Sequence, residues 1–251
     1  MRTVVEKLTR RMCFRRRLPE DLGRNRIWVS PSAGLRFLFG RMKEADPVLF
    51  NLAREFVHRD NVVWDVGANV GLFTFSSAYL SGLRGVVIAL EPDAWLVHLL
   101  RRSSLAQPAS CAPVHVIPAA VGQSVDLRTF HIAARSRATN SLKEYGSTQT
   151  GGVAEEQIVI TVSLDWLSER YPLPDVLKID VEGAELEVLR GAEQLLERRR
   201  PLLLCEISGE TSFETTKLLL SKGYRLYDGG ISRAERKELS CASWTTIALP
   251  A

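Results

Sequence analysis

Residues 62–75, VVWDVGANVGLFTF, are the stretch that most constrains the fold of this chain. Val62, Val63 and Trp64 are strand formers, the run breaks after Asp65 into Gly67-Ala68-Asn69-Val70-Gly71, and an apolar segment with helical spacing follows. A strand that turns through glycines into a helix fits a parallel sheet, because a crossover must carry the chain back before the next strand can begin. The same alternation continues from residue 62 onward. Strands are predicted at Val62–Val66, Gly85–Leu90, Val114–Pro118, Val176–Asp180 and Leu202–Glu206, with helices at Leu72–Leu80, Ala94–Ser104, Ala184–Arg199 and Ser212–Lys222. The expectation is an α/β protein with a mostly parallel sheet and helices on both faces.

Two segments depart from that rhythm. Residues 122–174 form a long insertion in which VDLRTFHI and QIVITVSL read as extra strands around the polar SRATNSLKEYGSTQTGG, suited to a substrate lid or to a surface loop. After the last helix, Tyr224–Asp228 and Trp244–Leu249 flank Gly229-Gly230 and read as an antiparallel pair at the sheet edge. Residues 1–60 show no strand pattern and read as a basic, helical N-terminal cap, followed by one domain over 61–251. A length of 251 residues, 45% of them hydrophobic, suffices for that single large core.

The formal charge of +4 invites a nucleic-acid reading until it is located. Residues 1–17 carry seven Lys/Arg against Glu6 alone, so a leader of +6 leaves −2 for the remainder. A slightly acidic body does not track phosphates, and no nucleic-acid partner is expected. Cys13, Cys111, Cys205 and Cys241 are far apart and read as buried thiols rather than a disulfide or zinc framework. No run reaches the roughly 20 apolar residues of a membrane span, and a soluble, cytoplasmic protein is expected.

The glycine turn narrows the ligand. Gly67, Asn69 and Gly71 give G-x-N-x-G, which lacks the middle glycine of the dinucleotide fingerprint, and no phosphate-cradling G-x-x-x-x-G-K-[ST] occurs. An anionic Asp65 before the turn would repel a diphosphate and welcome an ammonium. Glu91, ending the second strand, is placed to accept hydrogen bonds from ribose hydroxyls. A ligand with a ribose, an amino-acid end and a cationic centre satisfies both acids, and S-adenosyl-L-methionine has all three.

WDVGANVGLFT, ALEPD, VIPAAVG, VSLDWL and above all VLKIDVEGAELEVLRGA resemble the FkbM family of methyltransferases over about residues 61–223. The resemblance implies a Rossmann-like class I methyltransferase with a seven-stranded sheet of order 3-2-1-4-5-7-6. It also implies S-adenosylmethionine-dependent O-methylation of a natural product, sugar or glycan. Carried onto this sequence, it places the cofactor against Asp65, Gly67, Ala68, Asn69, Gly71, Glu91, Pro92, Ala120 and Asp180.

Methyl transfer to a hydroxyl needs a positioned oxygen and a proton acceptor. Carboxylates end the fourth and fifth predicted strands, so Asp180 is the first candidate for base or hydroxyl-orienting group, Glu182 the second, and Glu206 a further one. Glu182 reads equally as a cap of the helix after Gly183. Lys178 points to the same side as Asp180 and is read as its ion-pair partner or a site residue. Such acids could together hold Mg²⁺, although no spacing defines an octahedral site and no metal ligand is assigned. His58, His98 and His115 read as structural, and His131 or Asn140 and Ser141 as groups able to reach substrate. Trp95 and Trp166 read as helix–sheet packing. Two rival functions remain: a nucleic-acid methyltransferase, whose fourth strand would end in N-P-P-[YF] rather than D-V-E-G, and a non-catalytic binding protein on the same fold.

Overall fold

The first correction lies near the N-terminus. In the computed structural model, which describes residues 12–38, 40–145 and 151–251, an antiparallel hairpin joins β1 (Phe14–Arg17) to β2 (Arg26–Val29), with Phe14 opposite Val29. Three consecutive arginines hide β1 in the sequence, yet its residues alternate in exposure as a one-faced strand does. On β2, Ile27 and Val29 are buried. The face of Trp28 lies under the Arg102 guanidinium at 3.5 Å, and its backbone N–H donates to Ser103 Oγ at 2.7 Å. The cap is therefore hairpin plus helix: α1 (Pro47–Phe56) starts at Asp46, whose carboxylate accepts from the Leu49 N–H at 3.0 Å, with proline at the first helical position. The leader before Met12 lies outside the described residues.

From there the chain follows the predicted alternation: β3 (Val62–Val66), α2 (Leu72–Ser81), β4 (Val86–Leu90), α3 (Ala94–Ser104) and β5 (Val114–Ile117). The insertion supplies β6 (Ala120–Val121), β7 (Asp126–Ala133), β8 (Ser141–Leu142) and β9 (Val153–Val162), then α4 (Leu164–Ser168). These four strands form their own sheet in the order β6-β9-β7-β8, with Phe130, Ile132, Leu142 and Val159 in a small core.

The main sheet resumes with β10 (Val176–Ile179), α5 (Glu185–Arg190), α6 (Glu193–Arg198), β11 (Leu202–Glu206), α7 (Ser212–Ser221), β12 (Tyr224–Asp228), β13 (Glu238–Leu239) and β14 (Thr245–Pro250). Its order is β5-β4-β3-β10-β11-β14-β12-β13, with β14 antiparallel to both neighbours. Without the two-residue β13 at the edge, this is the 3-2-1-4-5-7-6 order of a class I methyltransferase. Trp64, Val66, Leu177, Ile179, Leu203 and Cys205 face the core under α5 and α6, whereas Val63, Val176, Leu204 and Ile247 face that under α1 and α2.

The helix expected over Ala184–Arg199 is two. A side chain at Gly191 would meet the Gly122 carbonyl at 2.3 Å. The second helix is started by Asp165, whose carboxylate accepts from the Gln194 and Leu195 N–H groups at 3.1 and 2.9 Å. Among the described residues, no helix is long and apolar enough to cross a membrane.

Candidate functional site

A cavity opens beyond the carboxyl ends of β3, β4 and β10, where open α/β sheets place their ligands. The turn after β3 contributes Gly67 and Asn69, the end of β4 Glu91 and Pro92, the turn after β10 Asp180 and Glu182. The insertion closes over it with Phe130, Arg137, Asn140 and Leu142. The walls combine apolar surface with carboxylates at two ends, a pattern suited to a small molecule that carries an aromatic base and several hydroxyl or ammonium donors.

Glu91 is buried and held by two backbone donors, the Asn69 N–H at 2.8 Å and the Asp93 N–H at 2.9 Å. Burial, joined by the charge of Asp93, pushes its carboxyl up to about 8. Asp93 starts α3 by accepting from the Trp95 N–H, and its other oxygen accepts from Asn140 Nδ2 at 2.7 Å and from Arg137. Asn140 is spent at both ends, since its Oδ1 takes the Ala133 N–H at 2.8 Å. These bonds tie the insertion to the sheet directly above Glu91.

The glycine of the turn answers first to the protein itself. Gly67 has φ +76°, and a Cβ there would stand 1.8 Å from the Asp180 carbonyl oxygen, so the closest approach to this backbone comes from the end of β10. Lys178 locks the same junction. It lies opposite Asp65 in the β3–β10 register, and its Nζ donates to the Gly67 carbonyl at 2.8 Å while facing Asp180 at 3.1 Å and Asp65 at 3.3 Å. Burial alone would depress this ammonium, but the charges of Asp180 and Asp65 outweigh it and hold the pKa above the usual lysine range. With three donors facing three acceptors, Lys178 orders the carboxylates around the turn.

Asp65 lies differently from the sequence expectation. It is fully buried, accepts from Thr74 Oγ1, faces Lys178 with its other oxygen, and is not part of the cavity wall. Gly67, Asn69, Glu91, Pro92, Ala120, Asp180 and Glu182 do line the cavity. Ala68 faces a recess on the far side of the turn, together with Arg36, Asp46, Lys178 and Asp180. Gly71 lines neither, and a Cβ on it would strike Phe75 and Leu100. Glu206 opens with Lys178 and Asp46 onto a third recess under α1. Asp180 thus borders both the main cavity and the recess beside it.

Two carboxyls near Asp180 have affinities suited to proton transfer at neutral pH. Burial, then the charges of Asp180 and Glu206, raises Glu182 to about 8, and burial with Asp180 raises Glu206 to about 7. Glu182 makes no cap hydrogen bond: the helix Glu185–Arg190 starts at Ala184 without a side-chain cap, and Glu185 takes the Val181 and Gly183 N–H groups of the turn at 3.2 and 3.0 Å. Among the described residues no group of three or more Asp, Glu, His or Cys is arranged to hold a metal ion, so Mg²⁺ is not carried further.

Of the weaker candidates, His131 pairs with Glu156 at 3.0 Å on the insertion sheet and does not line the cavity. Trp95 stacks on His98 at 5.7 Å, and Trp166 is 37% exposed beneath Arg170 rather than packed between helix and sheet. Ser141 is buried, and Asn140 serves the insertion's attachment. Sequence reasoning misses Arg137 and Phe130. Arg137 sits three residues before Asn140 in a polar stretch, and only the fold brings it to Asp93.

The family model described as the methyltransferase FkbM domain matches residues 65–226. A hexuronic acid methyltransferase, AglP, of Haloferax volcanii is 28% identical over 171 residues, 68% of this chain and 66% of its own. The methyltransferase sdnD of Sordaria araneosa is 29% identical over 161 residues, 52% of this chain and 60% of its own. The chain thus spans less than two thirds of the length of either. A crystal structure of a methyltransferase FkbM from Methylobacillus flagellatus superposes with a TM-score of 0.48 at 16% identity, covering 82% of this chain and 53% of that one.

Proposed function

We propose that this chain, which belongs to the methyltransferase FkbM domain family, transfers a methyl group from S-adenosyl-L-methionine to a hydroxyl oxygen of a small molecule, sugar or glycan. The observation that carries the reading is the buried Glu91 on the cavity wall, with one oxygen fixed by each of two backbone N–H groups. A carboxylate so held is oriented to accept from the two hydroxyls of a ribose. Gly67, Asn69 and Asp180 are placed for the amino-acid end, and Phe130 and Leu142 supply apolar wall for the base. When bound, the sulfonium supplies an activated methyl carbon. Asp65 supports this site through Lys178 rather than by contact.

The residues of this chain divide the remaining work. Asp180, bordering both the cavity and the adjoining recess, accepts the hydrogen bond of the acceptor hydroxyl and aims its oxygen. Glu206 opens on the acceptor side and, titrating near neutrality, takes the proton. The name of the Haloferax relative supports a sugar as acceptor. Calorimetry with S-adenosyl-L-methionine tests the donor site: saturable binding that Glu91→Ala weakens is expected, and no heat with the wild-type chain would end the reading. Mass spectrometry of extracts incubated with methyl-labelled donor tests the acceptor, with an O-methylated product expected.

A further inference from the structure

The recess beneath α1 holds an aromatic side chain that the fold does not use. Trp244 is 63% exposed, yet its backbone is rigid: it immediately precedes β14, where Thr245 pairs with Glu206, and its carbonyl accepts from the Ile207 N–H at 2.8 Å. Each of the other four indoles is packed in the core or has a ring or guanidinium against one face. Trp28 lies under Arg102, Trp64 is in the core, Trp95 stacks on His98 and Trp166 lies under Arg170. Among the described residues no ring or cation stacks on Trp244. A large apolar face exposed to water on an anchored backbone, at the rim of a cavity, is a ready contact surface.

The polar groups around it are acceptors. The recess has a volume of about 260 Å³ and is lined by Asp46, Glu206, Lys178 and Thr245 along with Leu49 and Leu52. At roughly 30 Å³ per water molecule it has room for a ring rather than a lone solvent molecule. No hydrogen bond from a described residue reaches the Glu206 carboxylate, and Asp46 keeps one oxygen for a loose pairing with Arg36 at 3.7 Å. The Lys178 ammonium is fully occupied by Gly67, Asp65 and Asp180. The recess therefore offers carboxylate acceptors with no free cation on its own wall. Asp46, Leu49 and Lys178 also line the next recess, which reaches Asp180, so a ring seated here extends toward the reacting end of the main cavity.

We infer that this recess is the acceptor subsite and takes an uncharged hexopyranosyl ring, its apolar face on Trp244 and its hydroxyls on Glu206 and Asp46. The inference rests on the methyl-transfer reading above and adds a selectivity to it. A ring carrying a carboxylate is disfavoured, because it would meet the carboxyls of Asp46 and Glu206, while Lys178 is occupied and the nearest cation beyond the recess wall, Arg36, already pairs with Asp46. The AglP relative is named for a hexuronic acid, so the two proteins would differ at this point.

The test uses the full chain labelled with 5-fluorotryptophan and held with S-adenosylhomocysteine, whose binding is measured by calorimetry on the same sample. The Trp244 resonance is assigned by its loss in Trp244→Phe. Methyl glycosides of glucose, galactose and mannose are titrated, and the methyl glycoside of glucuronic acid beside them. A saturable shift of the Trp244 signal with at least one neutral glycoside is expected, with affinity for the glucuronide weaker by about tenfold or more, and with Trp28 and Trp166 unmoved. A silent Trp244 with S-adenosylhomocysteine bound, or an equal response to the glucuronide, overturns the inference and leaves the methyl-transfer reading intact. Failure to bind S-adenosylhomocysteine strikes the latter instead.

Discussion

At the scale of single residues, the site depends on a buried cation and a missing side chain. Lys178 compensates Asp65, which is fully buried and pairs with no other cation among the described residues, so Lys178→Met leaves a buried carboxylate unpaired. Breaking a buried pair from one side costs about 3–5 kcal/mol, and a large drop in melting temperature is expected, partly restored by the further change Asp65→Asn. Gly67→Ala should fail more completely, since its methyl carbon would overlap the Asp180 carbonyl in a left-handed conformation. Soluble yield and circular dichroism read that outcome, and a well-folded Gly67→Ala variant with unchanged donor affinity would refute the account. Strand alternation shows that Lys178 and Asp180 share a side, and the G-x-N-x-G spacing shows a tight turn. Neither shows that β10 itself fills the space above Gly67, because register between distant strands is a property of the sheet. For the same reason the sequence alone makes Asp65 a ligand for the cofactor, when in the fold it is a ligand for Lys178.

At the scale of elements, the attachment of the insertion is the feature most open to test. The insertion sheet meets the βα turn after β4 through Asp93, which receives Asn140 and Arg137 on one oxygen while the other starts α3. Asn140→Ala and Arg137→Ala remove bonds on the insertion side only and leave the helix cap in place. Each hydrogen bond to a charged group is worth about 1.5–3 kcal/mol, so donor affinity is expected to fall by about tenfold or more in either variant while the main unfolding transition moves little. Calorimetry and thermal melts check the two halves, and unaltered donor affinity in both variants would show that the attachment plays no part in the cavity. The two strands VDLRTFHI and QIVITVSL are legible by alternation, and their pairing into a separate sheet is not. The break between α5 and α6 is hidden for a different reason. Its hydrophobic spacing is unbroken, and the cause is a carboxylate from another element, Asp165, together with the Gly122 backbone pressing on Gly191. β1 escapes notice because its exposed positions are arginines, and its partner strand is what makes it a strand.

At the scale of the whole molecule, the parallel sheet gathers carboxyl groups at its carboxyl end, because several interior strands end there in acids, and the covering elements shield them in part from water. Glu91 and Glu182 are raised to about 8, Glu206 to about 7, and Glu185 is raised as well, in each case first by burial. A carboxyl that holds its proton more tightly when folded than when unfolded stabilises the fold most below its ordinary range, and that contribution is lost as pH rises through the raised value. Between pH of about 5 and about 8 the folded chain binds more protons than the unfolded one, so its stability falls with rising pH. The opposing carboxyls do not interfere in that window: Asp21 and Glu197, lowered by Arg54 and Lys222, and Glu144, lowered against its burial by a backbone N–H and Arg128, already contribute fully above the ordinary carboxylate range. Each unit of raised pKa corresponds to at most about 1.4 kcal/mol, which is enough for a clear decline in melting temperature across the window. Glu91→Gln removes one such group and is expected to flatten the decline while weakening donor binding. S-adenosyl-L-methionine, a cation, favours the ionised carboxyls, so its stabilisation should be larger near the upper end of the window than the lower. Thermal melts of the wild-type chain and Glu91→Gln, with and without the donor, decide the matter: melting temperatures that rise with pH through this range in the wild-type chain would contradict a protonated carboxyl cluster at the head of the sheet.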